Sequence, residues 1–279
     1  MRLFLGILAT LLAVLPSYGH AQKSQKITLD YKAYWAGIVV ADITSETIIS
    51  ADHYQIKAHY QVSGFASLFK DSQNDSLSRG IILANGQFRP TFYQSGGNFG
   101  KFTYFNQAKF DPYSLKVSDH IQELQLRKDL HYTPIDNAEK YGIDPLTLFL
   151  NMITNQNFTD AYQHLTTQRQ FGGMFVSEQS FLCDQQQTLK PQKRSLFHGV
   201  TSVCTIDGKL ISGDIKSTKK RKKSRVDDDQ KSQLWFGKMQ DLAAMLPVYT
   251  EFSIGWGKVR IYLSGFNVET IDLSTQQTE

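Results

Sequence analysis

Ten residues, Asp144-Pro145-Leu146-Thr147-Leu148-Phe149-Leu150-Asn151-Met152-Ile153, decide the fold predicted for this chain. Asp144 is a suitable N-cap, and Pro145 suits the first helical position, where its missing N–H costs no hydrogen bond. Apolar side chains surround almost the whole helix, so it must be buried on most sides rather than lie on a surface. We therefore expect a central helix near 145–154, with Phe149, its largest side chain, deeply buried. Its predicted core residues are Leu146, Phe149, Leu150 and Ile153.

Short alternating segments on both sides of this helix predict β-strands. The best of them is Tyr54–Val62, in which every second residue is Tyr, Ile, Ala, Tyr or Val and the others are polar. The 18 Phe and 13 Tyr residues also favour pleated sheet over a helix bundle. We expect a mainly β fold, in which a curved antiparallel sheet, as an open barrel or spiral, wraps around the helix.

The first 21 residues predict a secretory signal peptide. The apolar stretch Leu3–Leu15 has 13 residues, whereas a membrane-spanning helix needs roughly 20. The small residues Gly19 and Ala21 fit cleavage after Ala21. The remaining residues, 22–279, are expected to form a single exported β-rich domain without a transmembrane segment.

Two cysteines, Cys183 and Cys204, are expected to form a disulfide, because an exported protein meets an oxidising compartment. The absence of a Cys-x-x-Cys motif speaks against a redox-active pair, and no His lies at ligand spacing for a metal site. The pair is therefore interpreted as structural.

Two further features are candidates for contact with a surface. A charged loop at 216–229 contains a basic run, and Trp256 lies at the tip of a predicted C-terminal hairpin. The basic run either forms a solvated loop or contacts anionic lipid headgroups, and Trp256 either folds back on its hairpin or inserts into a partner or membrane. The net charge of +4 is too small to select nucleic acid. The basic run consists of Lys219, Lys220, Arg221, Lys222 and Lys223.

No catalytic motif is visible in the chain. It has no Gly-x-Ser-x-Gly elbow, His-Glu-x-x-His pair or phosphate-binding lysine loop, and we expect neither a cofactor nor a metal. Carboxylates that could pair as acid and base for glycoside hydrolysis lie in a polar stretch where solvated carboxylates are common. They are Asp111, Asp119, Glu123 and Asp129.

Five segments in sequence order resemble the bacterial family known as domain of unknown function 3108. They are Tyr31–Gly37, Val62–Phe69, Asp144–Leu146, Val203–Cys204 and Leu246–Val248. The resemblance implies an exported envelope protein in the periplasm of a Gram-negative bacterium and a β-rich fold. It implies no established activity.

These observations together predict a non-enzymatic periplasmic protein of cell-envelope maintenance. The expected partner is a hydrophobic ligand, such as a lipid or lipoprotein, or an envelope protein. The alternative is an envelope hydrolase with an active site that is not visible in the sequence. An apolar cavity between sheet and helix would favour lipid or lipoprotein carriage, and a polar cleft with paired titratable groups would favour catalysis.

Overall fold

The structure is a computed structural model that describes residues 23–64, 72–99, 102–154, 164–218, 232–239, 242, 244–254 and 257–272. Within these ranges the chain forms fifteen β-strands and one α-helix. The strands of the first half are β1 (Lys23–Trp35), β2 (Ile38–Ile49), β3 (His53–Val62), β4 (Ser72–Ile82), β5 (Phe88–Phe99), β6 (Phe102–Phe110), β7 (Val117–Gln125) and β8 (Leu130–Thr133). The helix α1 (Pro145–Thr154) is followed by β9 (His164–Phe171), β10 (Val176–Leu189), β11 (Gly199–Ser212), β12 (Asp214–Ser217), β13 (Ser232–Lys238), β14 (Met245–Ile254) and β15 (Gly257–Asp272).

Thirteen of the described strands form one antiparallel sheet in the order β7-β6-β5-β4-β3-β2-β1-β15-β14-β13-β11-β10-β9. The first and last strands, β1 and β15, pair with each other from Lys23–Asp272 to Trp35–Val259. The two halves of the chain are therefore joined in the middle of the sheet. Strands β8 and β12 form a separate two-stranded ribbon. The predicted mainly β, antiparallel architecture is confirmed.

The sheet curves around α1. The helix contacts β3, β4 and β5 in the first half of the sheet, and β9 and β14 in the second half. Because β5 and β9 stand near opposite ends of the strand order, only a strongly curved sheet can bring both onto one helix. Leu150 is fully buried and Ile153 is 3% exposed, whereas Leu146 and Phe149 are only partly buried. The predicted deep position of Phe149 is therefore wrong, since the neighbouring Leu150 occupies it.

The two edge strands of the sheet, β7 and β9, are bridged at one end only. The segment 140–143 lies between the start of β7 and the end of β9. Val117 donates its N–H to the carbonyl of Lys140 (3.0 Å), and Ile143 donates to the carbonyl of Arg169 (2.9 Å). Phe171 in turn donates to the carbonyl of Ile143 (2.9 Å). Beyond this bridge the sheet does not close.

A buried carboxylate fixes the N-terminus of α1 to the sheet. One oxygen of Asp144 accepts the N–H groups of Leu146 (2.9 Å) and Thr147 (3.1 Å), and the other accepts the hydroxyls of Ser78 on β4 (2.9 Å) and Thr147. The Thr147 hydroxyl oxygen is also within hydrogen-bond distance of the Tyr54 hydroxyl on β3. Asp144 and Thr147 are both 0% exposed. The helix cap is thus at the same time a contact with two strands.

A second polar contact holds the middle of the helix. The side-chain amide of Asn151 donates to the carbonyl of Phe88 on β5 (2.9 Å) and accepts the N–H of the same residue (2.9 Å). Asn151 thereby takes the place of a neighbouring strand at the start of β5. Its spacing of four residues from Thr147 places both polar side chains on one face of the helix.

The predicted disulfide is confirmed. Cys183 on β10 and Cys204 on β11 are direct cross-strand partners, and their sulfur atoms are bonded. Cys204 is 0% exposed and Cys183 is 7% exposed, and both belong to the main hydrophobic core. The bridge therefore secures the outer strands of the second half of the sheet.

Two boundaries differ from those predicted. The glycine-rich segment 95–100 has the composition of a hairpin turn and predicts one, yet β5 continues through Gly96 and Gly97 to Phe99. Pairing explains the difference, because Gly97 lies opposite both Asn74 on β4 and Tyr104 on β6, and a Cβ atom at Gly97 would overlap the backbone of β4. The charged loop expected at 216–229 also starts later, since Lys216 and Ser217 belong to β12.

We expect Asp144→Asn to change how the stability of the protein depends on pH. Burial raises the pKa of Asp144 to about 6 in the folded protein, although the hydrogen bonds from Thr147, Ser78 and Leu146 oppose this rise. The unfolded value is about 3.9. The folded state thus holds the proton more tightly, so this contribution to stability is complete below about pH 4 and is lost as the pH rises through about 6. The difference amounts to about 3 kcal/mol.

The measurement is urea unfolding of both proteins at pH 4 and pH 7. Between these values the stability of Asp144→Asn relative to the wild type should rise by about 2 kcal/mol, because part of the effect already falls below pH 4 and above pH 7. Asp136→Asn is the control, because the Asp136 side chain also caps a helical turn but is exposed. An unchanged difference between Asp144→Asn and wild type at the two pH values would contradict the assignment.

Removing the disulfide should destabilise the protein by about 3 kcal/mol, the loop-entropy value for a separation of 21 residues. The test compares urea unfolding of the wild type with that of the double variant Cys183→Ala/Cys204→Ala. Dithiothreitol should lower the stability of the wild type by a similar amount and leave the double variant unchanged. Equal stability of the oxidised wild type and the variant would show that the bridge contributes nothing.

Candidate functional site

A pocket of about 560 Å³ lies where the curved sheet does not close. It is bounded by α1, by the turn between β4 and β5, and by strands β9 and β10. The size is typical of sites for small molecules. Its lining residues are Asn85, Gly86, Gln87, Leu148, Asn151, Met152, Thr154, Thr166, Gln168 and Phe181. We refer to it as the helix pocket.

The helix pocket has an apolar floor and a polar wall. Leu148 and Met152 of α1 and Phe181 of β10 form the floor, and they are 5%, 7% and 4% exposed. Because these side chains are almost completely packed, they present only a small apolar area. Side-chain amides and hydroxyls provide most of the remaining surface. A ligand in this pocket would meet hydrogen-bond donors and acceptors around a small apolar patch.

Three distant segments of the chain build the helix pocket. The Asp144 cap and the Asn151 contact with Phe88 fix α1, so the positions of Leu148 and Met152 follow from polar contacts with the sheet. Strand β9 contributes Thr166 and Gln168 from its inward-facing side, whereas Thr167 between them is exposed and is within hydrogen-bond distance of Ser180. The disulfide at Cys183 lies two residues from Phe181 on β10 and links β10 to β11.

None of the described residues that line the helix pocket has a titratable side chain. Three side chains with shifted pKa values, Asp144, Glu251 and His120, lie outside the helix pocket and apart from one another. Asp144 is fully buried at the N-terminus of the helix. Glu251 is on β14, where hydrogen bonds from Lys258 and Arg260 outweigh its burial and lower its pKa to about 2. His120 on β7 stacks edge-to-face against Phe171, and burial lowers its pKa.

The carboxylates considered for glycoside hydrolysis do not form a pair. Asp111 accepts the N–H of Ser114 within the turn between β6 and β7 (2.6 Å). Asp119 pairs with Lys109 (3.2 Å), and Asp129 pairs with Arg127 (2.8 Å). Glu123 is exposed on β7. None of these four lines the helix pocket.

The sequence-predicted site residues contribute little to the helix pocket. The residues of α1 that line the pocket are Leu148, Asn151, Met152 and Thr154, and none of them is a predicted core residue. The predicted leader (1–21), the basic run (219–223) and Trp256 lie outside the described residues. The pocket residues of β9 and of the turn between β4 and β5 were not predicted, because no pattern in the sequence shows that these segments lie side by side. The one available signal was Asn151, a polar residue in a helix predicted to be buried.

Two further observations apply to the described part of the chain. It contains no group of three His, Cys, Asp or Glu residues that could hold a metal ion. It also contains no helix that is long and apolar enough to cross a membrane.

The similarity of this chain to known proteins lies in its structure. No protein-family model matches the chain, and no curated protein matches it. It is similar to the crystal structure of a β-barrel-like protein of domain of unknown function DUF1849 from Brucella abortus. The two chains are 11% identical, the alignment covers 89% of this chain and 98% of the other, and the TM-score is 0.44.

Proposed function

We propose that this protein is a non-enzymatic binding protein that holds a small, uncharged amphiphilic ligand in the helix pocket. The observation that carries the proposal is a pocket of about 560 Å³ between helix and sheet, with an apolar floor and with no titratable side chain among its described lining residues. The apolar part of the ligand would contact Leu148, Met152 and Phe181. Its polar part would exchange hydrogen bonds with the amides and hydroxyls of the wall.

The lining favours a neutral ligand over a charged one. A buried charge is costly unless an opposite charge or several hydrogen bonds compensate for it. Among the described residues that line it, the helix pocket offers no Lys, Arg, Asp or Glu side chain. A lipid with a neutral polar head therefore fits better than a fatty acid or a phospholipid. The small apolar area also makes a purely hydrocarbon ligand a poorer match than a ligand with polar groups.

The same lining supports binding rather than hydrolysis. Hydrolases need a general acid or base, or an activated nucleophile, within hydrogen-bond reach of the reacting atoms. The described lining of the helix pocket has threonine hydroxyls but no His, Asp, Glu, Lys or Cys that could activate them. The envelope hydrolase considered as the alternative would therefore need another site.

The cellular setting belongs to the same proposal. The bridged pair Cys183–Cys204 supports a location outside the cytoplasm. The periplasm, a role in envelope maintenance and membership of family 3108 rest on the leader and on the segments quoted for the resemblance. An envelope lipid, a lipoprotein acyl chain with a neutral head, or a segment of an envelope protein are the partners that this setting offers.

The test uses the neutral fluorescent probe N-phenyl-1-naphthylamine with the wild-type protein. We expect saturable fluorescence enhancement and displacement by glycerol monodecanoate. Decanoate, with a similar chain but a carboxylate head, should displace the probe at least about tenfold less well, because its charge would have no partner in the pocket.

A pair of variants on β9 assigns the binding to the helix pocket. Gln168→Trp places a large side chain in the pocket and should abolish probe binding. Thr167→Trp adds the same side chain to the adjacent exposed position and should bind like the wild type. The proposal is wrong if the wild type does not bind the probe, or if both folded variants bind it equally well.

A further inference from the structure

One edge of β9 borders the helix pocket. Strand β9 is the last strand of the thirteen-stranded sheet, and the strand that pairs with it along its length is β10. Thr166 and Gln168 of β9 line the pocket, and the turn that joins β4 to β5 lines it from the other side. The edge of β9 that faces away from β10 therefore lies along the opening of the pocket.

Two hydrogen bonds to Ile143 show which backbone groups of β9 point to this edge. Ile143 donates its N–H to the carbonyl of Arg169, and Phe171 donates to the carbonyl of Ile143, each at 2.9 Å. Successive residues of a strand direct their backbone groups to opposite sides, so Leu165 and Thr167 point to the same edge as Arg169. Among the described residues, no backbone hydrogen bond reaches Leu165 or Thr167 from this edge.

The chain itself pairs with this edge at one position. The contact between Ile143 and Gln170 is a parallel β-bridge. It occupies the C-terminal end of β9, whereas residues 164–168 continue the same edge for about 13 Å. An extended segment placed along 164–168 would continue the pairing that Ile143 begins.

The space beside this edge is open. Thr167 is exposed, and Asn85 and Gly86 in the turn on the opposite side are exposed as well. A Cβ atom added to Gly86 would have no neighbour within 4 Å. A strand needs a spacing of about 4.8 Å from its neighbour. The open side of the helix pocket thus offers room for an extended chain next to β9.

The free edge restricts the chemistry of the ligand. It presents N–H and carbonyl groups at the spacing of a β-strand, which an extended peptide matches by adding a strand to the sheet. A lipid with a single neutral head group can satisfy only part of this row. Side chains of an added strand alternate between its two faces, so every second one enters the helix pocket. There it meets the apolar floor of Leu148, Met152 and Phe181.

We propose that the edge of β9 binds a peptide segment in β-strand conformation, with uncharged apolar side chains at alternate positions directed into the helix pocket. This inference rests on the function proposed above, because it assigns the neutral amphiphilic ligand of that pocket to one chemical class, extended polypeptide. The backbone of the segment pairs with Leu165 and Thr167. Its inward side chains contact the pocket floor.

The experiment uses an acetylated and amidated pentapeptide of alternating threonine and valine with the full-length wild-type protein. Isothermal titration calorimetry should show saturable binding, and the peptide should displace N-phenyl-1-naphthylamine from the helix pocket. The same peptide with methyl groups on its three central backbone nitrogens keeps its side chains and its neutrality but cannot pair as a strand. It should bind at least about tenfold more weakly.

Thr167→Pro tests the edge from the side of the protein. Proline has no N–H, and its ring projects to the open edge, whereas the pairing of β9 with β10 uses the groups of the neighbouring residues. The affinity for the peptide should fall at least about fivefold. N-phenyl-1-naphthylamine should still bind, which shows that the variant is folded and its pocket intact. Thr167→Val loses the same hydroxyl but keeps the N–H, so it should bind the peptide like the wild type.

The outcomes separate this inference from the function proposed above. If neither N-phenyl-1-naphthylamine nor the peptide binds, both are wrong. Only the inference is overturned if the probe and glycerol monodecanoate bind but the peptide does not, or if the methylated peptide binds equally well. Equal affinities of folded Thr167→Pro and Thr167→Val for the peptide also overturn it. If Thr167→Pro does not fold, the methylated peptide decides.

A second copy of the chain is the other occupant that the edge could take. Light scattering distinguishes it. The peptide proposal expects the same oligomeric state for wild type and Thr167→Pro. A wild-type dimer that Thr167→Pro converts into monomers would mean that β9 of a second copy pairs with the edge, and would overturn the proposal.

Discussion

The buried carboxylate of Asp144 is the constraint on which the interior of this protein depends. A charged or polar group without exposure must have its hydrogen bonds satisfied within the protein, and Asp144 finds donors in the first turn of α1 and on β4. Through Thr147 and Tyr54 the same network extends to β3. The helix can therefore occupy only one position and one orientation against the sheet. The position of the helix also sets the position of the pocket floor, because Leu148 and Met152 of the floor belong to α1.

The length of the helix explains why the interior is not filled. An α-helix of ten residues is about 15 Å long, whereas a strand of twelve residues such as β2 spans about 40 Å. One helix of this length covers less than half of the strands around it. Among the described residues, the bridge at 140–143 joins the start of β7 to the end of β9. The helix pocket is a consequence of this mismatch.

Local sequence signals predicted the elements but not the surfaces that they enclose. The proline-initiated apolar segment predicted the helix at its observed bounds, and two cysteines in a chain expected to be exported predicted the disulfide. Alternation identified β3 correctly. It did not distinguish Ile56, which is fully buried, from Tyr60, which is only partly buried, because a period of two reports the face of a strand and not what covers it. The helix pocket combines residues almost 100 positions apart, from Asn85 to Phe181, and no local pattern records such a distance.

The polar residues of the interior separate two physical roles that look alike in a sequence. Thr147 and Asn151 are buried and paired with the sheet, so their function is to position the helix. Tyr31, Ser45 and Asn106 are on the same inner side, yet each has an atom that the described chain leaves unpaired. The paired groups fix the helix against the sheet. The hydrogen-bond partners of a buried side chain, rather than its polarity alone, therefore identify this positioning role.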